Sequence, residues 1–315
     1  MKILLSNHAL KDVGGTEKWT YAMAEELTRR GHDVGVFTFM IGTTSDKLQS
    51  FCRVHTQVPD VDEYDVLLSN HNTTLGILQP LRCPKIHTSH GPGHRLEIPN
   101  NGADLYVGVS NEVIARYAAE GFWMEMIPNG INLDEFAEGP ALRETPRVLS
   151  MCKQKTANEI VQMACMLAGL DLTMLHYTDQ PVWDVAPMMR NHDIVIGCGR
   201  TVYEALACGR QPLVFDWRQK AKGPTADGYV LPDNIDRLRQ SNFSGRHHEY
   251  PWAVGEVTKA LRAYATERAP DGWARQWAEQ NANIRDRVTE YEALIDRALS
   301  TQPVPHDCDL TAEYT

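Results

Sequence analysis

Long apolar runs are missing from this sequence of 315 residues. No stretch approaches the roughly 18 continuous apolar residues of a membrane span. The amino terminus, Met1-Lys-Ile-Leu-Leu-Ser6, passes straight into a strand pattern without the apolar h-region of a secretory signal. Cysteine is sparse: seven residues, at 52, 83, 152, 165, 198, 208 and 308, odd in number and without a Cys-x-x-Cys pair. That excludes a disulfide framework or a zinc ribbon, and reduced thiols in a soluble, cytoplasmic protein are expected. Positive charge is also short, with 31 Lys and Arg against 41 Asp and Glu, a net charge of −10. Such a balance argues against a general polyanion-binding surface while leaving a local basic groove open. Metal-ligand spacings are lacking too. His247-His248 has no cysteine or carboxylate pair beside it, and Asp307-Cys-Asp309 falls in a Pro-containing tail, 301–315, expected to be disordered. No internal repeat is present.

What is there is ordinary globular composition, 43% hydrophobic and 23% charged, in a chain long enough for two domains with separate cores. Met1 to Ser6 reads as a buried strand. A loop ending in Gly14-Gly15 follows, then a helix from Thr16 closed by Gly31, then a strand over His32 to Phe39. This β-loop-α-β opening is Rossmann-like. Strands are predicted at Arg53–Val58, Tyr64–Ser69, Lys85–Ser89, Leu105–Val109 and Met124–Ile127, with a helix over Glu112–Glu120. Periodicity fades around Asn132 to Pro146, which sets the expected boundary between an amino-terminal domain, 1–140, and a carboxyl-terminal domain, 141–300. The second half restarts with a strand at Arg147–Met151, a helix over Thr156–Ala168 and a strand at Leu172–His176. Residues 220–246 read as loop plus a short helix. From Trp252 the pattern is helical with one interruption at Pro270-Asp-Gly272, leaving a long last helix over about 273–299.

The most informative stretch runs from Asp193 to Asp216. Asp193-Ile-Val-Ile196 is a short buried strand, Gly197 and Gly199 mark a turn, Thr201 to Cys208 is a helix stopped by Gly209, and Pro212 to Phe215 is the next strand. The turn sits at the carboxyl end of a strand and the amino end of a helix, where free N–H groups and the helix dipole favour an anion such as phosphate. A purely structural turn explains a Gly-x-Gly equally well.

Gly197-x-Gly-Arg-x-x-x-Glu-Ala-x-Ala-x-Gly209 resembles the nucleotide-sugar site of GT-B glycosyltransferases, especially the retaining GT4-like group. Gly14-Gly15-Thr16-Glu17, His90-Gly91-Pro92-Gly93 and Ile127-Pro-Asn-Gly-Ile-Asn132 resemble further segments of that group in the same order, so the likeness spans about 1–245. It departs at one place: a glutamate common eight positions before Glu204 is here Ile196. The resemblance implies two Rossmann-like domains around a cleft, with the last helix crossing back to the first domain. It implies a hexosyl transferase moving a sugar from a nucleotide-diphosphate sugar to an acceptor hydroxyl. With Ile196 in that place no donor carries over from the group; a UDP-sugar before a GDP-sugar is the expectation. Retention, no metal and no other cofactor are expected.

The same resemblance distributes the roles. Glu204 would hold the two ribose hydroxyls; an ordinary helix glutamate is the alternative. Lys153, Lys155 and Arg200 would hold the diphosphate and stabilise it as a leaving group; solvated lysines are the alternative. The turn residues Gly197, Gly199 and Thr201, with Gly14, Gly15 and Asn129, would line the donor. At Gly14 and Gly15 a tight turn needing positive φ is the alternative. His90 would sit at the transferred sugar as a neutral imidazole, with His90, Lys155 and Arg200 forming the catalytic set. Glu17, His71 and His94 are placed on the acceptor side. The acceptor stays open among a small molecule, a glycan and, disfavoured by the acidic balance, a modified base in DNA. A sugar-nucleotide epimerase and a non-catalytic nucleotide-sugar binding protein are the rival functions, the second resting on Ile196.

Overall fold

The computed structural model describes residues 1–175, 182–216, 225–247 and 251–301. Thr301, the first residue of the expected disordered tail, closes the last helix, while 302–315, with Asp307 and Asp309, lie outside these residues, as does His248.

The first half is built on strands β1 (Lys2–Ser6), β2 (Asp33–Phe37), β3 (Arg53–His55), β4 (Val66–Ser69), β5 (Lys85–Ser89), β6 (Leu105–Gly108) and β7 (Glu125–Met126). The helices between them are α1 (Gly15–Arg29), α2 (Thr43–Leu48), α3 (Asn72–Ile77) and α4 (Asn111–Ala118). The strands form one seven-stranded parallel sheet in the order β3-β2-β1-β4-β5-β6-β7. Parallel sheets are covered on both faces, which is why β1 and β4 carry unbroken apolar runs: Ile3, Leu4, Leu5, Val66 and Leu67 are all 0% exposed. Strand order reverses between β1 and β4, so the loops after those strands flank a crevice at the carboxyl edge of the sheet.

The second half repeats the plan with a five-stranded sheet. Its elements in chain order are β8 (Val148–Ser150), α5 (Lys155–Ala168), β9 (Leu172–Met174), α6 (Ala186–Arg190), β10 (Ile194–Gly197), α7 (Arg200–Ala207), β11 (Gln211–Asp216), β12 (Thr225–Tyr229), α8 (Ile235–Arg239) and α9 (Val254–Glu267). The order is β12-β11-β10-β8-β9, parallel except for β12, which runs antiparallel to β11. The sequence reading of 220–246 as loop and helix missed β12. Its pairing carries a register shift at Val214/Phe215, and Gly228 adopts φ 81°, so the strand lacks the alternation that would reveal it.

The expected single last helix is two helices, α10 (Trp273–Asn281) and α11 (Ile284–Thr301). The break has a specific cause. Ile131, in the Pro128-Asn-Gly-Ile-Asn132 loop, donates its N–H to Ala282 O at 2.7 Å and accepts from Ile284 N at 3.0 Å. Backbone groups that would continue the helix are thereby spent on a bridge. On one side of it α10 packs Trp277 against Tyr203 and Phe243 of the second half. On the other, α11 crosses to the first half, burying Val288, Tyr291, Leu294 and Ile295 with Trp19, Leu27 and Val36. Thr88 and Tyr291 hydroxyls, 2.9 Å apart, tie β5 to this crossing helix. Among the described residues no helix is long and apolar enough to cross a membrane.

Candidate functional site

The carboxyl ends of β1, β4 and β5 meet those of β8 and β10 across a cleft, and the segments singled out in the sequence converge there. Gly14 caps α1 in an extended conformation, φ −115°. Positive φ, the structural alternative for this pair, is therefore not why Gly14 is glycine. A Cβ on Gly14 would lie 2.2 Å from Glu17 Oε2, because the Glu17 carboxylate folds back over the start of its own helix. Thr16 Oγ1 donates to that oxygen at 2.9 Å. A Cβ on Gly15 would meet nothing within 4 Å, so this backbone faces open space. Burial raises the Glu17 pKa, partly offset by hydrogen bonding and by Lys153 across the cleft.

On the opposite wall, Gly199 has φ 62°, a left-handed conformation that a side chain would strain, so here a glycine is needed. Its N–H donates to Phe243 O at 2.9 Å, which leaves the amino-terminal N–H groups of α7, not Gly199, to meet an anion. Gly197 serves packing: a Cβ would lie 2.8 Å from Thr201 Cγ2. Phe243 and its neighbour Asn242 are the two non-glycine residues with positive φ among the described residues, at 51° and 54°. Asn242 Oδ1 accepts from Asn129 Nδ2 at 3.1 Å, so this strained turn joins the two halves beside the cleft.

Glu204, one turn into α7, is 5% exposed. Arg200 Nε donates to its Oε1 at 2.8 Å, and Arg200 Nη1 reaches across to Gly130 O at 3.2 Å. Burial raises the Glu204 pKa, and Arg200 and Lys18 pull it back. Lys18 of α1 is itself buried; its Nζ donates to Trp183 O at 2.8 Å, stands 3.9 Å from the centre of the Trp183 ring and lies 3.5 Å from Glu135. Burial lowers the Lys18 pKa, against the carboxylates of Glu135 and Glu204. Two cations and two carboxylates contributed by both halves thus share one region, with Glu135 at its half-buried edge. Lys18, Trp183 and Glu135 are not among the site residues expected from the sequence.

His90 packs edge-on to Trp19, ring centroids 5.2 Å apart, and its Nε2 lies 3.1 Å from Asn70 Oδ1. That acceptor assigns the proton to Nε2. Burial, reinforced by His71, His87 and Arg200, pushes the His90 pKa down to about 3, so the ring is neutral. His71 is also held neutral, its pKa lowered to about 3 chiefly by burial, and its Nδ1 accepts from His8 N at 3.0 Å. His94 is exposed in the following turn. Lys153 and Lys155 are both exposed; Lys155 opens α5 with its ammonium 3.9 Å from Glu159. The structure therefore brings together Gly14, Gly15, Glu17, His90, Asn129, Arg200 and Glu204, places Lys153 opposite Glu17, and leaves Lys155 on the surface. Ile196, the position where the resembled group has a glutamate, is 0% exposed in the core of the second sheet. Among the described residues there is no cluster of three or more side chains able to hold a metal.

One further carboxylate was missed. Glu97 lies in the turn after His90, near the His90 and Gly91 N–H groups and Glu17, and burial lifts its pKa to about 7. Its Oε2 is buried without a hydrogen-bond partner.

No protein-family profile matches this sequence, and no curated relative matches it. Solved structures do match in shape. HepE of Anabaena, in complex with UDP-glucose, superposes with a TM-score of 0.61 at 14% identity over 93% of this chain and 100% of that one. AviGT4, a glycosyltransferase involved in avilamycin A biosynthesis, gives 0.60 at 13% identity over 96% and 98%. A Listeria monocytogenes protein assigned as a UDP-N-acetylglucosamine 2-epimerase gives 0.56 at 10% identity over 96% and 97%. The chain has the fold these proteins share: GT-B, two Rossmann-like halves facing one another across a cleft.

Proposed function

We propose that the protein transfers a sugar from a nucleotide-diphosphate sugar, a UDP-sugar in the first instance, to an acceptor hydroxyl. The observation that carries this reading is the buried Arg200–Glu204 pair at the amino end of α7, facing neutral His90 and the open backbone of Gly15. A carboxylate at that depth suits the two vicinal hydroxyls of a ribose, which replace some of the solvation it has lost. Arg200, the exposed Lys153 and Lys155, and the first N–H groups of α7 supply positive potential for a diphosphate. Asn129 and Gly14 line the donor. A neutral His90 tolerates developing positive charge on the sugar ring, where an imidazolium would oppose it. As the bond between anomeric carbon and phosphate oxygen breaks, its electron pair goes to the diphosphate, the acceptor oxygen bonds to that carbon, and the proton of the acceptor hydroxyl passes to the departing diphosphate oxygen. Closure of the cleft excludes water as a competing acceptor. His71, His94 and Glu17 belong to the acceptor side. We place retention, metal independence, a cytoplasmic setting and a division near residue 140 in the same proposal. The GT-B likeness to HepE with UDP-glucose supports the UDP preference.

Thermal unfolding with UDP, GDP, ADP or dTDP, each with and without EDTA, tests it. A nucleotide at a hundred times its dissociation constant adds about 2.7 kcal/mol of stability. The expected result is a clear rise in Tm with UDP, unchanged by EDTA. No rise with any of the four would remove the nucleotide-sugar reading. Loss of the rise with EDTA would remove metal independence alone.

A second reading, sugar-nucleotide epimerisation, is favoured by one observation: Glu17 and Glu97 are two half-buried carboxylates near one another with raised pKa values, a pair able to exchange protons. Incubating UDP-N-acetylglucosamine without an acceptor separates the two, since an epimerase alters the sugar while keeping the nucleotide bond.

A further inference from the structure

We propose that Arg246 is a positioning residue: its ion pair with Glu112 ties the donor turn at Gly199 to the first half of the chain, so that a nucleotide is held tightly only while the two halves are clasped. The inference rests on the nucleotide-sugar reading above. Arg246 Nε donates to Glu112 Oε1 at 2.8 Å and its Nη2 to Glu112 Oε2 at 2.6 Å, a bidentate contact between the turn after α8 and the first turn of α4. The same two pieces meet again where Glu112 N donates to Gln240 O at 2.9 Å and Asn111 Nδ2 to Gln240 Oε1. Asn129 of the first half reaches Asn242 between them. Residues 240, 242 and 246 are thus all held by the first half.

The other side of this turn holds the donor turn. Phe243 O accepts from Gly199 N at 2.9 Å, and Gly199 O accepts from Val202 N at 3.0 Å at the start of α7. The Phe243 carbonyl therefore sets the aim of the amino end of α7, whose N–H groups face the diphosphate in the proposed complex. Phe243 has φ 51° and Asn242 φ 54°, left-handed values that oppose a bulky side chain at 243. Such a conformation persists only where its surroundings over-determine it. Within the second half, the Phe243 ring is wholly buried, its centre 5.0 Å from that of Tyr203 and 6.4 Å from that of Trp277. Phe243 N donates to Leu238 O at 3.1 Å, and Gly245 N donates to Asp227 Oδ2 at 3.1 Å. The bonds from Asn111, Glu112 and Asn129 complete the frame, and of these contacts they alone depend on the cleft being closed.

Arg246 is the link with most leverage. A bidentate guanidinium–carboxylate pair is stronger than the neutral bonds beside it, and neither side chain belongs to the residues placed at the nucleotide. When the halves part, the strained turn loses that frame, Gly199 loses a fixed acceptor, and the donor turn slackens. Nucleotide binding and clasping are then coupled in both directions: UDP bound at α7 favours the clasp, and the clasp favours UDP. The coupling cannot exceed what the pair contributes to the clasped state. With side chains 35% and 29% exposed, the pair should change affinity about 5-fold, equivalent to about 1 kcal/mol.

Calorimetry with UDP on wild type, Arg246→Met, Glu112→Ala, the double variant of the two and the exchanged pair Arg246→Glu with Glu112→Arg tests this, with chemical denaturation of each alongside. We expect each single variant to bind UDP about 5-fold more weakly. The double variant should bind no more weakly than either single, because one shared link is lost, and the exchanged pair should regain affinity. A merely structural Arg246 would lower stability without making UDP affinity follow Glu112 across the cleft. Glu112→Ala changes only a partly exposed residue at a helix start, so it carries the test should Arg246→Met unfold. UDP affinity equal to wild type in both single variants, or losses that add in the double, would overturn the inference while leaving the nucleotide-sugar reading in place. Failure of wild type to bind UDP or any other nucleotide would instead overturn that reading, and this inference with it.

Discussion

Replacing Glu204 by alanine is expected to weaken UDP binding at least 100-fold, measured by calorimetry, with no enthalpy of binding detectable at micromolar protein. In the proposed complex the carboxylate accepts from two ribose hydroxyls, and hydrogen bonds to a charged group contribute about 1.5–3 kcal/mol each. The lower end of that range, taken twice, already corresponds to about 100-fold in Kd. Glu204→Gln separates binding from folding. Its amide oxygen can still accept from Arg200 Nε, now 2.8 Å from Glu204 Oε1, so the wall of the cleft stays in place. It can accept from the ribose with one oxygen only and without charge, and a loss of about 10-fold is expected. The pH dependence of stability provides a second check. Burial raises the Glu204 pKa above its ordinary value, so the folded protein holds this proton more tightly than the unfolded chain. Stability from this group is full below the unfolded pKa and declines as pH rises through the folded one. Glu204→Gln should lack that decline. UDP affinity equal to wild type in both variants would place the nucleotide elsewhere.

The candidate site was legible in the sequence wherever its placement depends on local backbone. The strand, turn and helix from Asp193 to Asp216 announce themselves through a buried run, two glycines and a helical stripe, and Glu204 is fixed once the helix register is known. Gly14, Gly15 and His90 follow from the same strand-end logic at β1 and β5. What stayed hidden depends on contacts between residues far apart in the chain. Lys18 looks like a solvated helix lysine until Trp183, 165 positions away, covers it. Glu97 looks like a surface glutamate, because nothing in His94-Arg-Leu-Glu97 signals that its turn is clamped by Asn72 and Ser89. The split of the last helix is invisible for a similar reason: no proline or glycine marks Ala282 or Asn283, and the cause is the backbone of Ile131. His71 shows the converse. Its position at the end of β4 was foreseen, but its Nδ1 is already engaged by the backbone of residue 8, which leaves Nε2 as the nitrogen not committed to that bond.

Arg200→Met should destabilise the protein by about 3–5 kcal/mol at pH 8, because it removes one member of a buried ion pair and strands the other. Both side chains are deeply placed, 10% exposed for Arg200 and 6% for Glu204, so little solvent screening softens the loss. The same change removes the Nη1 contact to Gly130 O, a direct link between the two halves. The size of the effect should depend on pH. Arg200 pulls the Glu204 pKa down against burial; without it that pKa rises further. The stranded carboxylate then costs most where it is ionised and is relieved as acid protonates it, so the deficit relative to wild type should shrink from pH 8 to pH 5. Adding Glu204→Gln to Arg200→Met should recover a large part of the stability, since an amide carries no charge to strand, and the shortfall from additivity measures the pair. UDP binding should not recover in the double variant, because both groups proposed to meet the nucleotide are gone. Chemical denaturation of the four proteins at the two pH values decides the matter. If Arg200→Met costs less than about 1 kcal/mol at both, as a solvated surface pair would, the buried pair does not organise this cleft and the site must be drawn around other residues.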